Sequence, residues 1–404
     1  PGIRQENSGT FSRYNIGAYF DASLNVTKDW LIDGTVRGEK YSDFGSAFVY
    51  RASTRIKVAD DNFVLRGSVS SGFRAPTLHQ IYAQSTQASF AGGVIVTSGL
   101  YNNNSKQAFL LGVPKLRPEK STNFTIGIGT KPSKNFSVTL DYYDITIKDR
   151  IVYSSSISSS DPNSTLYQIL QAADVVSVQF FINGIKTRTS GLDFVANYKN
   201  IGMGSGKLGI NLAANYTTKN EIVGLPNVPT AIKDAGSDIL NTQIRSLLTK
   251  SRPKFKGIFG LDYNVNKWSF NLNNTLFGPT EFQDLDNGAN YGLYIANAND
   301  PNRSPMEDIK QKFTTNIVTD LNIGYNINSK INVSFTVNNI FNVLHKWDLI
   351  SLNSEGQKIL DNPDAKSLLE GFLEFSGRYR ILGYNGSQFS QLGTTFNGSI
   401  VFKF

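Results

Sequence analysis

With two histidines, two methionines and no cysteine in 404 residues, this chain has few side chains able to do covalent or metal chemistry. Absent cysteine, there are no thiolate ligands and no disulfide staples. His79 and His345 are left as the candidates for acid–base work near neutral pH, and neither lies in a local catalytic motif. His79 instead follows Ala75-Pro76-Thr77, where a short loop helix is expected to begin. The stretch GSGKLG at 204–209 satisfies G-x-G-x-x-G, but it falls between two alternating segments with no helix after it, which reads as a hairpin. Leu208 after Lys207 also breaks the phosphate-loop pattern. DLDNG at 284–288 begins like a calcium loop, yet Ile295 stands where the bidentate Glu belongs. The expected catalytic residues, metal ligands and cofactors are therefore none.

Aromatic residues are the other chemically capable set. Tyr82, Phe90 and Tyr101 share one long link, Phe282, Tyr291 and Tyr294 another, and Phe372, Phe375, Tyr379, Tyr384 and Phe389 a third. Such rings either stack on a ligand or pack the links together and anchor them at an interface. As a group, Tyr82, Phe90, Tyr101, Tyr291, Tyr294, Tyr379 and Tyr384 are the ligand-binding candidates. The formal charge of +8 raises the question of a nucleic-acid partner. Lys and Arg are scattered, with no basic block of five or more, so no nucleic-acid role is expected.

The elements that carry these residues read as strands. Tyr14, Ile16, Ala18, Phe20, Ala22, Leu24 and Val26 alternate with Arg13, Asn15, Asp21, Ser23 and Asn25, and the run is long enough to cross a bilayer at about 45°. Comparable segments fall near 30–41, 46–58, 63–72, 120–131, 136–149, 186–199, 207–220, 253–265, 267–278, 313–327, 330–341 and 392–404, giving about thirteen strands. No apolar run approaches the roughly 18 residues of a spanning helix. A mean hydropathy of −0.24 suits a barrel, in which lipid-facing and interior-facing residues alternate. Tight connections at Thr27, Ala59, Pro132, 201–206, Asn266 and Asn328 alternate with long links at 73–119, 150–185, 221–252, 279–312 and 342–391, and on the long-link side only the connection around Asp43 is brief. Short turns on one rim and long loops on the other distinguish an outer-membrane barrel from a soluble sandwich or propeller. The terminal TTFNGSIVFKF, with Phe402 and a final Phe404, has the pattern of a barrel's closing strand. An odd strand count whose first strand descends from the outer rim implies that earlier staves are missing.

Several segments resemble the carboxy-terminal half of TonB-dependent outer-membrane receptors: SGFRAPTLHQIY at 71–82, LRPEKSTNFTIGI at 116–128, DYYDITIKDRIV at 141–152, TRTSGLDFVANY at 187–198, NNIFNVLHKW at 338–347 and GTTFNGSIVFKF at 393–404. The resemblance spans nearly the whole chain. It implies an all-β, antiparallel transmembrane β-barrel in which residues 1–404 supply about 13 of 22 strands, the amino-terminal plug, TonB box and first strands being absent. It further implies a bacterial outer-membrane location and TonB-dependent uptake of a scarce, bulky solute such as a siderophore or other chelate. Its partners would be outer-membrane lipid, the missing plug and strands, the TonB complex acting through that plug, and an unidentified ligand. A passive porin and an outer-membrane barrel enzyme are the alternatives. Arg117 and Lys120 are expected to pair with nearby carboxylates, and Asn338 and Asn339 to satisfy loop backbone.

Overall fold

The computed structural model describes residues 8–59, 62–91, 94–283, 308–373 and 388–403. Thirteen strands form one antiparallel up-and-down sheet in chain order: β1 (Asn15–Asn25), β2 (Trp30–Tyr41), β3 (Gly45–Val58), β4 (Phe63–Arg74), β7 (Glu119–Ser133), β8 (Phe136–Tyr153), β11 (Phe181–Met203), β12 (Gly206–Gly224), β13 (Phe255–Val265), β14 (Trp268–Phe277), β17 (Asn316–Asn326), β18 (Ile331–Asn338) and β20 (Thr395–Phe402). Each expected span coincides with one of them. β1 and β20 are the edges of this sheet, and among the described residues no strand pairs with the outer side of either.

The two faces differ in chemistry across the whole sheet. Leu65, Ile128, Leu140 and Phe194 stand opposite one another in successive strands, an apolar row with Leu140 41% exposed. A contiguous apolar surface of this extent is stable only against a nonpolar phase. The other face carries hydrogen-bonded polar side chains, the pattern of a barrel interior. Thr35 donates to Asp21 at 3.0 Å, Arg66 grips Asp141 through Nε at 2.8 Å, and Asn215 donates to Asp193 at 2.7 Å. Asp262 accepts from both Asn211 and Asn271, and Asn322 donates to Thr336 at 2.6 Å. Asp141 faces Asp193 directly across β8 and β11, so Arg66 offsets a like-charge pair that would otherwise weaken the ladder.

The connection expected at 201–206 is tighter than that, whereas the one expected at Asn266 alone takes one residue more. β11 and β12 are separated only by Gly204 and Ser205, and β13 and β14 by Asn266 and Lys267. Gly204 at φ 58° and Asn266 at φ 53° supply the left-handed backbone that two-residue hairpins require. At the opposite rim the strands run further than alternation indicated: β8 continues to Tyr153, β11 begins at Phe181 and β12 ends at Gly224. Register shifts between Ile185 and Thr187 and between Ser190 and Gly191 explain the difference, because a bulge flips the alternating pattern while pairing continues.

Buried side chains lie mainly in the long links. One core contains Phe180, Ile157, Leu166, Leu170, Ile232 and Leu240, and a second contains Phe282, Ile309, Phe313, Trp347, Ile359 and Leu369. Strands from different links share sheets there. β5 (Ser85–Ala91), β6 (Val94–Leu100), β10 (Ser177–Gln179) and β9 (Ile157–Ser158) form one, with β6 and β10 parallel. β15 (Thr280–Phe282), β16 (Ile309–Phe313) and β19 (Trp347–Ser351) form the other. These strands went unread as strands because the pieces are short and pair far along the chain.

Arg at Leu140 should cost about 2–4 kcal/mol near the bilayer midplane, whereas Arg at Thr139, on the polar face, should be tolerated. Folding titrations of the complete protein into lipid vesicles measure both, and equal sensitivity would mean that the two faces do not meet different solvents.

Candidate functional site

Three of the recurring segments meet at one carboxylate on the long-loop rim. Glu119, the first residue of β7, accepts from Arg74 Nε at 2.9 Å and Nη2 at 2.5 Å, and from the Ile151 amide at 2.7 Å. Arg74 ends β4 where Pro76 removes the donor that would extend the ladder, so the strand stops with its guanidinium beside Glu119. Its Nη1 also reaches Gln80 Oε1 at 3.3 Å. Gln80 is the third residue of the helix Leu78–Tyr82, and its side chain closes a capping box with Thr77. The helix expected after Ala75-Pro76-Thr77 is thus present and tethered to the barrel rim. Asn183 bridges the backbone of Arg117 and Asp149, and Arg117 pairs with Asp149 at 3.0 Å, the carboxylate partner anticipated for it.

This rim positions an amphipathic cleft. Tyr82 leaves the helix stacked on Phe11, with centroids 4.0 Å apart and planes 4° from parallel. Tyr101 and Asn102 follow β6, and Asn102 donates to Gln84 at 3.0 Å. Lys106 and Asp174 pair at 3.3 Å across two links. A cavity of about 540 Å³ is lined by these groups, and a neighbouring one of about 420 Å³ shares Phe11 and Tyr82 with Leu78 and His79. Flat rings, carboxamides and one ion pair suit reversible capture of a bulky polar solute by stacking and hydrogen bonding.

Of the sequence candidates, Tyr82 and Tyr101 are brought together in this cleft. Tyr101 is 4% exposed and packs into the first loop core. Phe90 lies in β5 opposite Ile95. Tyr291, Tyr294, Tyr379 and Tyr384 fall outside the described residues. Phe11 was missed because it precedes the first strand and carries no motif.

The two histidines do not share a site. His79 is exposed on the short helix. His345 is buried, its ring stacked 3.9 Å from Phe389, and its Nε2 accepts the Phe389 amide at 3.2 Å. The neighbouring Gln388 donates to Thr314 O at 2.9 Å and to Gly278 O, which latches this segment to the rim. Asn339 exchanges two 2.8 Å bonds with the Val343 backbone, the loop role expected of it, whereas Asn338 donates not to loop backbone but to the side chain of Thr395, its partner on β20.

A single up-and-down sheet with one apolar and one polar face, tight turns on one rim and packed loops on the other, defines the wall of a transmembrane β-barrel. The chain belongs to the TonB-dependent receptor-like β-barrel family, whose model matches residues 1–340. Solved structures share the fold. The siderophore receptor PirA from Acinetobacter baumannii superposes with a TM-score of 0.57 at 16% identity, over 99% of this chain and 47% of that one. A variant of the ferric enterobactin receptor PfeA from Pseudomonas aeruginosa gives 0.56 at 14% identity, over 96% and 45%. The copper transporter OprC gives 0.53 at 15% identity, over 96% and 47%. The chain therefore spans about half the length of these structures. Comparison with curated proteins gave no match.

Replacing Glu119 by Ala leaves Arg74 and the Ile151 amide without their acceptor, at a cost of about 2 kcal/mol. Proteolysis of the complete protein should then cut faster within 75–118, and Glu119→Gln should show a smaller increase.

Burial holds the His345 pKa below the ordinary imidazole value. The neutral ring is favoured in the fold, so its contribution is complete above about pH 6.5, the unfolded pKa, and is lost as pH falls through the lower folded value. The protection factor of the Phe389 amide, its exchange rate relative to the intrinsic rate at the same pH, should fall on acidification through the folded pKa, and His345→Phe should remove that pH-dependent fall.

Proposed function

We propose that residues 1–404 form the carboxy-terminal part of the barrel of a TonB-dependent transporter, which captures a scarce, bulky solute at the surface of the bacterial outer membrane and imports it. Family membership carries this reading. The open sheet supports the division of the barrel: the free edges of β1 and β20 would expose unpaired backbone to hydrocarbon at several kcal/mol per group, so further strands are needed to close it. Those strands, together with a plug that couples to TonB, would come from the remaining half of a protein the size of the structural relatives. A siderophore or other metal chelate is the proposed cargo, supported by relatives described as receptors for a siderophore and for ferric enterobactin and as a copper transporter.

Capture is assigned to the loop rim, through the cleft at Tyr82 and Tyr101 and through the further candidates Phe90, Tyr291, Tyr294, Tyr379 and Tyr384. The chain acts by binding and conformational gating, and no residue is assigned to catalysis. An active carrier is favoured over a porin by the family, and over a barrel enzyme by the separate structural surroundings of the two histidines.

A deletion strain tested on ferric catecholates, ferric hydroxamates, haem, cobalamin and oligosaccharides identifies the cargo through lost growth or uptake. With that cargo, Tyr82→Ala and the Tyr291→Ala/Tyr294→Ala pair should each weaken binding by roughly 2- to 10-fold without lowering barrel abundance. Rebuilding Gly204-Ser205 should leave affinity unchanged. Affinity lost only in the turn variant would place capture on the opposite rim, and wild-type growth of the deletion strain on every solute would refute the uptake reading.

A further inference from the structure

The β14–β17 pair does not end at the rim. Its ladder closes at Phe277 opposite Asn316, skips Gly278-Pro279 and Thr314-Thr315, and resumes as β15 and β16 with Thr280 opposite Phe313. Proline offers no amide across this gap. The flanking amides turn elsewhere, Gly278 to Phe255 O and Thr314 to Lys346 O, each at 2.9 Å. The carbonyls of Gly278 and Thr314 are both taken by Gln388 Nε2, while Gln388 Oε1 accepts from Asn316 Nδ2 at 3.3 Å. One side chain from the last long link thus closes a break between the wall and the sheet beyond it.

Past the break the parts are bound to one another. β19 completes the sheet, and the helices Ser354–Asp361 and Pro363–Leu373 add Ile359 and Leu369 to its core. Asp308 O accepts the Leu352 amide at 2.8 Å, Asp308 Oδ1 accepts from Asn353 Nδ2 at 2.6 Å, and Lys310 pairs with Glu281 at 3.0 Å. Ties to the preceding link run through the Glu281 amide on Lys250 O at 3.2 Å, the Gln283 amide on Ser246 Oγ at 3.3 Å, and Leu247 against the core.

That core carries a defect. Gln311 is fully buried on the face of β16 that it shares with Ile309 and Phe313, opposite Phe282 and Leu349. Among the described residues, neither its Nε2 nor its Oε1 has a hydrogen-bond partner. In the first loop core, by contrast, the buried Ser154 hydroxyl accepts the Phe180 amide at 3.0 Å and donates to Ser155 O at 2.9 Å. A carboxamide enclosed by apolar side chains disfavours the closed form, because opening returns it to water.

We propose that β15, β16, β19 and the two helices form one cooperative opening unit on the rim, latched by Gln388 and biased toward opening by Gln311. Its boundary is the ladder break, so it can loosen while the transmembrane pairing of β14 with β17 stays intact. The motion belongs to the loop layer and does not depend on which solute the protein carries.

Hydrogen exchange of the complete detergent-solubilised protein tests this, read as protection factors of the amides in Ile309–Phe313 and Trp347–Ser351. Gln311→Met, close in shape and without a carboxamide to satisfy, should raise both by about 5- to 100-fold. Gln311→Glu, which encloses a charge, and Gln388→Ala, which frees both carbonyls, should each lower both by roughly tenfold or more. Asn316–Asn326 in the wall and Ser177–Gln179 in the first loop sheet should keep their wild-type protection in every variant. Lower or unchanged protection in Gln311→Met overturns the inference, because the carboxamide is then satisfied in the closed form, by an ordered water or otherwise. So does a response of one strand without the other, a wall that loosens with the unit, or unchanged protection in Gln388→Ala.

Discussion

Backbone hydrogen bonding in a medium without water governs this architecture. Inside hydrocarbon each amide and carbonyl needs a protein partner, so the spanning segments pair with their sequence neighbours throughout the thirteen-strand sheet. Once that pairing is met, the side chains divide between two solvents. The apolar row through Leu65, Ile128, Leu140 and Phe194 turns to one, and the ladder through Asp21, Asp141, Asp193 and Asp262 to the other. A wall of this kind has no core of its own. Burial is displaced to the loops, where Phe180 and Phe313 are completely enclosed.

That division explains what the sequence revealed. The thirteen spans were legible because lipid and interior impose a period of two on every strand, and both solvents lie within one residue of each other along the chain. The loop strands were hidden by the opposite circumstance. β10 is three residues long and pairs with β6, almost eighty positions earlier, so no local pattern marks it. Tyr101 was legible as an aromatic in a long link, while its packing into the loop core depends on Leu166, Phe180 and Ile232 from other links. The gathering of Lys250, Arg252 and Lys254 at one cavity did leave a trace, the alternating cations of KSRPKFK, which a search for unbroken basic blocks passes over.

Charge is handled differently at three levels of the wall. In the interior ladder Arg66 is matched to Asp141, and at the rim Arg74 is matched to Glu119. These pairs are structural, because each joins strands or motifs distant in sequence. Above them Arg150, Lys219, Lys250, Arg252 and Lys254 line one cavity together with Glu221, and among the described residues none of the five closes a salt bridge.

The parallel pairing of β6 with β10 ties the link after β4 to the link after β8. Two excursions that leave the barrel at separate places are consequently one object mechanically. A graft of either link alone would leave half of a shared sheet and half of a shared core without its complement, so the two links can be exchanged only as a pair. Single-residue change remains open only at positions such as Tyr82 and Lys106, which line the cleft without belonging to that common core.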